Sequence, residues 1–101
     1  MKAKVKNMCS PRSGRPVANQ FKILTDEGVY FQSYDSTICY CPYHKYGRPI
    51  FGKDWDFSVT TLKYLYQFLT DMGVKLPEAR SGKAAIQRGI DTGLFRYDPE
   101  L

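Results

Sequence analysis

Apolar positions in the first half of the chain recur with a period of two. In "VANQFKILT", Phe21 and Ile23 alternate with Gln20, Lys22 and Leu24, which predicts a strand with one mostly buried face. "DEG" at 26–28 reads as a turn in which Gly28 is free to take positive φ. "VYFQSY" then returns as a second strand, so 17–34 is expected to be a hairpin. "DS" at 35–36 breaks the pattern, and "TICYCPY" resumes it as a third strand ending at Pro42. "HKYGRP" is a further turn, followed by short extended pieces around Trp55 and Phe57. The period then changes. Leu62, Leu65, Leu69 and Met72 recur every three or four residues beside Phe68, which predicts a helix over 59–72 with Ser58 as N-cap and Gly73 as stop. Thr60 and Thr61 are the alternative caps. After the linker "VKLPEAR", Ser81 caps a weaker helix, "GKAAIQRGID", with Ala84, Ala85 and Ile86 toward the core and Gly93 as its end. "LFRY" at 94–97 either adds an edge strand or packs back on a helix.

Strands first and helices after predict an α+β fold, a small antiparallel sheet of three to four strands with one or two helices packed on one face. The turn-rich run "SPRSGRP" forbids a helix near the start. Residues 1–16 are therefore expected as an extended or mobile N-terminal arm, and 17–101 as a single α+β domain, in keeping with a chain of 101 residues.

Charge sharpens that division. Residues 1–25 carry Lys2, Lys4, Lys6, Arg12, Arg15 and Lys22 with no acid, whereas from Asp26 onward nine basic residues face ten acidic ones. A basic arm on a near-neutral body can meet phosphate or an acidic protein face, and it excludes an acidic mimic of DNA. Eight tyrosines suit a recognition surface, since each ring offers large contact area and a polar tip. The start "MKAKVKNMCSPRSGRPV" lacks a continuous apolar region, and no run approaches transmembrane length, so the expected location is the cytoplasm and no membrane partner is expected. Three cysteines, an odd number, argue against a disulfide framework.

The stretch "ICYCPYH" carries the candidate chemistry. On a strand Cys39 and Cys41 share a side, and His44 after Pro42 can bring an imidazole toward them; Cys9 is the available fourth ligand for one structural zinc, which would pin the arm to the sheet. The alternative is that both thiols are small buried hydrophobes and His44 is a surface turn residue. A catalytic thiol lacks an activating base. "SGKAA" at 81–85 is a helix start that binds anions weakly at most, and Asp54 and Asp56 flank Trp55 without forming an acid–base pair. No triad and no nucleotide fingerprint emerges, so an enzyme is not expected.

Two stretches together, "SPRSGRPVANQFKI…GVYFQSYDSTI" and "WDFSVTTLKYLYQFL", resemble small accessory proteins of phages and mobile elements. The pattern covers about half of the chain and does not include Cys39, Cys41 and His44. The resemblance implies no enzymatic activity and, by association with that class of genes, an anti-CRISPR protein. The implied function is a phage-encoded inhibitor acting on a type II Cas effector nuclease of the host, by blocking DNA loading or a domain motion that loading requires. Arg12, Arg15, Tyr40, Tyr43 and Tyr46 are the expected contact residues. The reading from another class is a nucleic-acid-binding accessory module, in which the basic arm touches phosphates while Tyr30, Tyr34 or Tyr40 stacks on bases. A structural phage component is a third reading. Oligomeric state is left open by the sequence.

Overall fold

The computed structural model describes residues 3–44 and 47–101. In chain order the elements are β1 (Lys4–Cys9), β2 (Pro16–Leu24), β3 (Gly28–Ser33), β4 (Ser36–Pro42), β5 (Ile50–Phe51), α1 (Val59–Asp71), α2 (Gly82–Asp91) and β6 (Arg96–Tyr97). The six strands form one sheet in that order, antiparallel at every junction except the parallel β5–β6 pair. The fold is α+β, with a sheet larger than the three to four strands expected.

The additional strands have a physical explanation. Lys4, Val5, Lys6 and Asn7, read as part of an arm, pair with Leu24, Ile23, Lys22 and Phe21. All four are exposed and only Met8 of β1 is buried, too little of a buried face for periodicity to reveal; its lysines are the charges an edge strand uses against further pairing. β5 and β6 are two residues each, too short to carry a pattern. The radius of gyration, 12.9 Å, matches the ~13 Å of a single body of this length, with β1 included in it.

Both helices start where their caps stand. Ser58 Oγ accepts from the Thr61 N–H at 3.0 Å, and Ser81 Oγ from the Ala84 N–H at 3.1 Å. Gly73 and Gly93, just past the helices, take φ of 72° and 81°, the left-handed conformation that closes a helix at little steric cost. The buried stripe of α1 is Thr61, Tyr64, Leu65, Phe68 and Leu69, with Leu62 and Met72 at its margin. In α2, Ala85 and Ile86 are buried and Ala84 is half-buried.

The core lies between the helices and one sheet face. Val29, Phe31, Cys39, Cys41 and Phe51 point into it and meet Leu65, Phe68, Leu69 and Ile86. Phe31 stacks on Phe68 with ring centroids 5.6 Å apart, and Phe51 lies 5.2 Å from Phe95 and 6.2 Å from Trp55. Between the pairs Phe31–Cys39 and Gln32–Thr37 the ladder skips Ile38, a bulge that buries Ile38 and Cys39 in succession.

Register reverses the expected faces of β2. Lys22 pairs with Phe31, and Gln20 with Ser33, so these even-numbered residues face the helices; Lys22 bonds Asp71 of α1 at 2.6 Å. Phe21 and Ile23 lie on the second face, where no described helix packs. A continuous cross-strand row runs over that face: Val5, Ile23, Tyr30, Tyr40, Ile50 and Arg96. Beside it runs a second row of Asn7, Phe21, Gln32 and Thr37. Alternation alone identifies two faces, but neighbouring strands decide which one is covered.

Candidate functional site

Two stretches distant in sequence meet at one end of the sheet. Tyr34 and Asp35 form the two-residue loop between β3 and β4, whose last and first residues, Ser33 and Ser36, are paired. Tyr34 sits at φ 54°, and its N–H donates at 2.7 Å to the carbonyl of Asn19, itself at φ 65°. Gln32 Nε2 donates to the Tyr34 carbonyl at 2.8 Å. Asparagine tolerates the left-handed region; a tyrosine pays about 1–2 kcal/mol for it. The conformation leaves the Tyr34 side chain 46% exposed.

Opposite lies the start of α1. Ser58, Thr61 and Ser33 form a chain of hydroxyls, 3.0 Å from Ser58 Oγ to Thr61 Oγ1 and 2.9 Å from there to Ser33 Oγ. Ser33 and Thr61 line a cavity of about 200 Å³ together with Tyr34, Asp35, Ser36, Ile38 and Phe57. Phe57 occupies the position before the N-cap, where an apolar side chain ordinarily folds back onto the fourth helical residue, here Leu62. Instead Phe57 is 70% exposed and Val59 86%. Ser36 Oγ donates to Asp54 at 2.9 Å, and Asp56 lies 3.7 Å from Lys83. Asp35 is exposed in the loop.

Gln20, the cross-strand partner of Ser33, is fully buried beside this end, and among the described residues neither its Oε1 nor its Nε2 has a hydrogen-bond partner.

The four residues expected to hold zinc do not come together. Cys39 and Cys41 do share a side, as their spacing requires, but both are buried in the core. Burial, reinforced by the adjacent Cys41, pushes the Cys39 thiol well above its ordinary range, which favours the protonated form over the thiolate a metal needs. Cys9 is exposed at the far end of β1, three strands from β4 and roughly 15–20 Å from either thiol by strand spacing. His44 is exposed beyond the end of β4. Among the described residues no group of three or more His, Cys, Asp or Glu is placed to hold a metal ion. As placed, the four residues are not gathered around one point. β1 is held instead by its ladder, by buried Met8 and by Gln67 of α1, whose Nε2 donates to the Cys9 carbonyl at 3.1 Å.

The expected contact residues are dispersed. Arg12 and Arg15 are exposed in the β1–β2 turn, at the same end of the sheet as Tyr34. Tyr40 lies mid-sheet on the uncovered face, its ring 4.4 Å from that of Tyr30. Tyr43 is exposed at the opposite end, its N–H bonded to the Glu27 carbonyl. Tyr46 lies outside the described residues. Phe57 and Val59 were not among the expected contacts, although an apolar residue directly before a cap serine was the signal available in "WDFSV".

Comparison with known proteins gives one match. Residues 3–86 fit the model of DUF8033, a family of unknown function, a span that includes every residue of the cavity end. No curated protein and no solved structure matches the chain significantly. Because the fit covers most of its length, the chain belongs to the family of unknown function DUF8033.

Proposed function

We propose that this chain is a non-enzymatic inhibitor that docks on a protein through the end of the sheet where Tyr34 and Phe57 line the cavity and Val59, two residues on from Phe57, is exposed. The observation that carries the reading is the display of these three apolar side chains, one on a loop in a costly left-handed conformation and one released from its usual place against the helix. Strain of that kind persists where the surroundings hold it, and it clusters at contact sites. Exposed aromatic side chains around a small cavity are the anchors on which protein interfaces concentrate their energy.

Beside the cavity, Asp35, Asp54 and Asp56 are the groups that can face a basic protein surface; Lys53 and Lys83 lie among them, and Arg12 and Arg15 stand farther along the same end of the sheet. In its finer form, following the sequence resemblance, the target is the type II Cas effector nuclease of the host, and docking blocks DNA loading or a domain motion that loading requires. Such an effector holds nucleic acid in a positively charged channel, and its mouth is a surface of the complementary sign.

The test is DNA cleavage by a panel of type II effectors, each preincubated with the protein. Wild type is expected to protect the DNA, and Phe57→Ser to lose potency by about 30-fold, the effect of removing an anchor worth ~2 kcal/mol. Tyr34→Gly is expected to lose potency while gaining about 1 kcal/mol of stability from relief of the left-handed tyrosine. Uninhibited cleavage by every effector would remove the finer reading, and undiminished inhibition by both variants would remove the docking end itself.

The exposed turn holding Arg12 and Arg15 favours the second reading, a nucleic-acid-binding module. There affinity for single-stranded or duplex DNA falls by roughly 0.7–0.9 log units per log unit of salt for each phosphate neutralised. An interface anchored on Tyr34 and Phe57 loses far less.

A further inference from the structure

We propose that the cavity lined by Tyr34 and Phe57 receives one arginine side chain of the protein on which this end docks. The proposal rests on the docking reading above and gives the occupant of that site its chemistry.

Size comes first. The cavity holds about 200 Å³, below the ~300–1,000 Å³ of sites for small-molecule ligands, and so suits a single side chain. Charge then selects among side chains. Of the described residues that line it, Asp35 alone is charged, and no hydrogen bond or ion pair with another described residue engages its carboxylate. Lys53 lines an adjoining cavity of about 300 Å³ that shares Asp35 and Ser36, without pairing with Asp35. A carboxylate or phosphate entering the cavity meets a like charge. An apolar side chain strips water from Asp35 and offers nothing in exchange. A cation answers it. The start of α1 does not cancel this preference: Val59 and Thr60, which carry its first amides, do not line the cavity, and the Thr61 N–H is taken by Ser58 Oγ at 3.0 Å.

The lining favours a guanidinium over an ammonium. The side chains of Tyr34 and Phe57 are 46% and 70% exposed. A guanidinium is planar and weakly hydrated, so it stacks on such rings while its fork of N–H donors reaches a carboxylate. Ser36 gives its hydroxyl proton to Asp54 at 2.9 Å and has only acceptor lone pairs left to offer. Ile38 supplies apolar surface for the methylenes of the arginine stem.

The walls are held before a ligand arrives. The Tyr34 N–H donates to the Asn19 carbonyl at 2.7 Å, and the Tyr34 carbonyl accepts from Gln32 Nε2 at 2.8 Å. The Phe57 N–H donates to the Asp54 carbonyl at 3.1 Å, and the Asp54 carboxylate accepts from Ser36. Asp54 therefore ties the segment before α1 to the β3–β4 hairpin, and little ordering remains to oppose binding.

The test is an amide chemical-shift titration of the full chain with N-acetyl-L-arginine amide, which stands for one arginine within a protein. Saturable shifts centred on Tyr34, Asp35, Ser36 and Phe57 are expected, with a Kd on the order of 1–10 mM for a ligand of this size. N-acetyl-L-leucine amide is expected to give no saturable shift at these residues. Asp35→Asn, at an exposed turn position that asparagine suits, is expected to weaken arginine binding by about threefold to tenfold. If that variant fails to fold, arginine against leucine on the wild type decides. Absence of saturable shifts, shifts centred away from the cavity, an equal response to leucine, or undiminished binding by a folded Asp35→Asn chain would each overturn the proposal. No effector enters the titration. A panel of effectors that escapes inhibition thus removes the type II target and leaves the arginine site standing, whereas a failed titration removes the arginine and leaves the inhibition standing.

Discussion

Gln20 is the residue whose placement runs most against its chemistry. An amide brought into a core without partners loses its hydrogen bonds to water and gains none in return. Its position is imposed by register: with Lys22 opposite Phe31 and facing α1, the residue two places earlier must face the same way. Gln20→Leu, of similar size, is expected to raise the unfolding free energy by about 1–2 kcal/mol, read as a higher urea midpoint at unchanged slope. A lower midpoint would mean that the amide is satisfied in solution. From the sequence, Gln20 looked like the polar side of an amphipathic strand. Nothing local could correct that, because Phe21 and Ile23 are apolar too and the choice between faces belongs to the neighbouring strands.

At the scale of elements, intrinsic propensity and packing give opposite answers at Gly89, inside α2. An alanine there ordinarily stabilises a helix by roughly 1 kcal/mol. In this fold a Cβ on Gly89 would collide with the edge of the Phe95 ring, which is buried and also packed on Phe51. The Phe95 N–H further bonds the Gly89 carbonyl at 2.9 Å, so the two backbones are tied close together. Gly89→Ala is therefore expected to destabilise the protein by about 1–3 kcal/mol, the usual penalty for overpacking, as measured by thermal or urea unfolding. A gain would show that the C-terminal segment moves freely away from α2. The element boundaries themselves were legible, since Ser58, Ser81, Gly73 and Gly93 act within a turn of their own positions. The short strands β5 and β6 were not, since each exists only because a neighbour aligns it.

For the molecule as a whole, burial divides the three thiols into two classes. Cys9 is exposed, while Cys39 and Cys41 are sealed between the sheet and the helices. A thiol reagent is expected to modify one cysteine in the native protein and all three after unfolding. Cys39 also links stability to pH. Its folded-state value is raised, mainly by burial, so above the ordinary thiol range the unfolded chain gives up a proton that the folded chain keeps. Stability is accordingly whole below about pH 8.5 and falls as pH rises past it, by up to ~1.4 kcal/mol per pH unit from this group. Tyr40 and Tyr66, raised chiefly by burial, act in the same direction at higher pH. Urea unfolding between pH 7.5 and 9.5 is expected to show that decline in wild type and a flatter profile in Cys39→Ala; equal slopes would indicate a thiol that ionises freely in the folded state.

What the sequence determined by itself was local in origin: the α+β class, both helices with their caps and stops, the β2–β3 hairpin, and the shared side of Cys39 and Cys41. Each follows from residues within a few positions of one another, where propensity, capping and alternation act directly. Tertiary structure decided what depends on distance in the chain. It turned residues 4–9 into an edge strand, chose which face of β2 is covered, separated Cys9 and His44 from the two core thiols, and joined Tyr34 to Phe57 around one cavity. The reason is that strand register is a contract between neighbours. A shift of one residue exchanges the faces of a strand, and only the packed helices determine which arrangement buries the core.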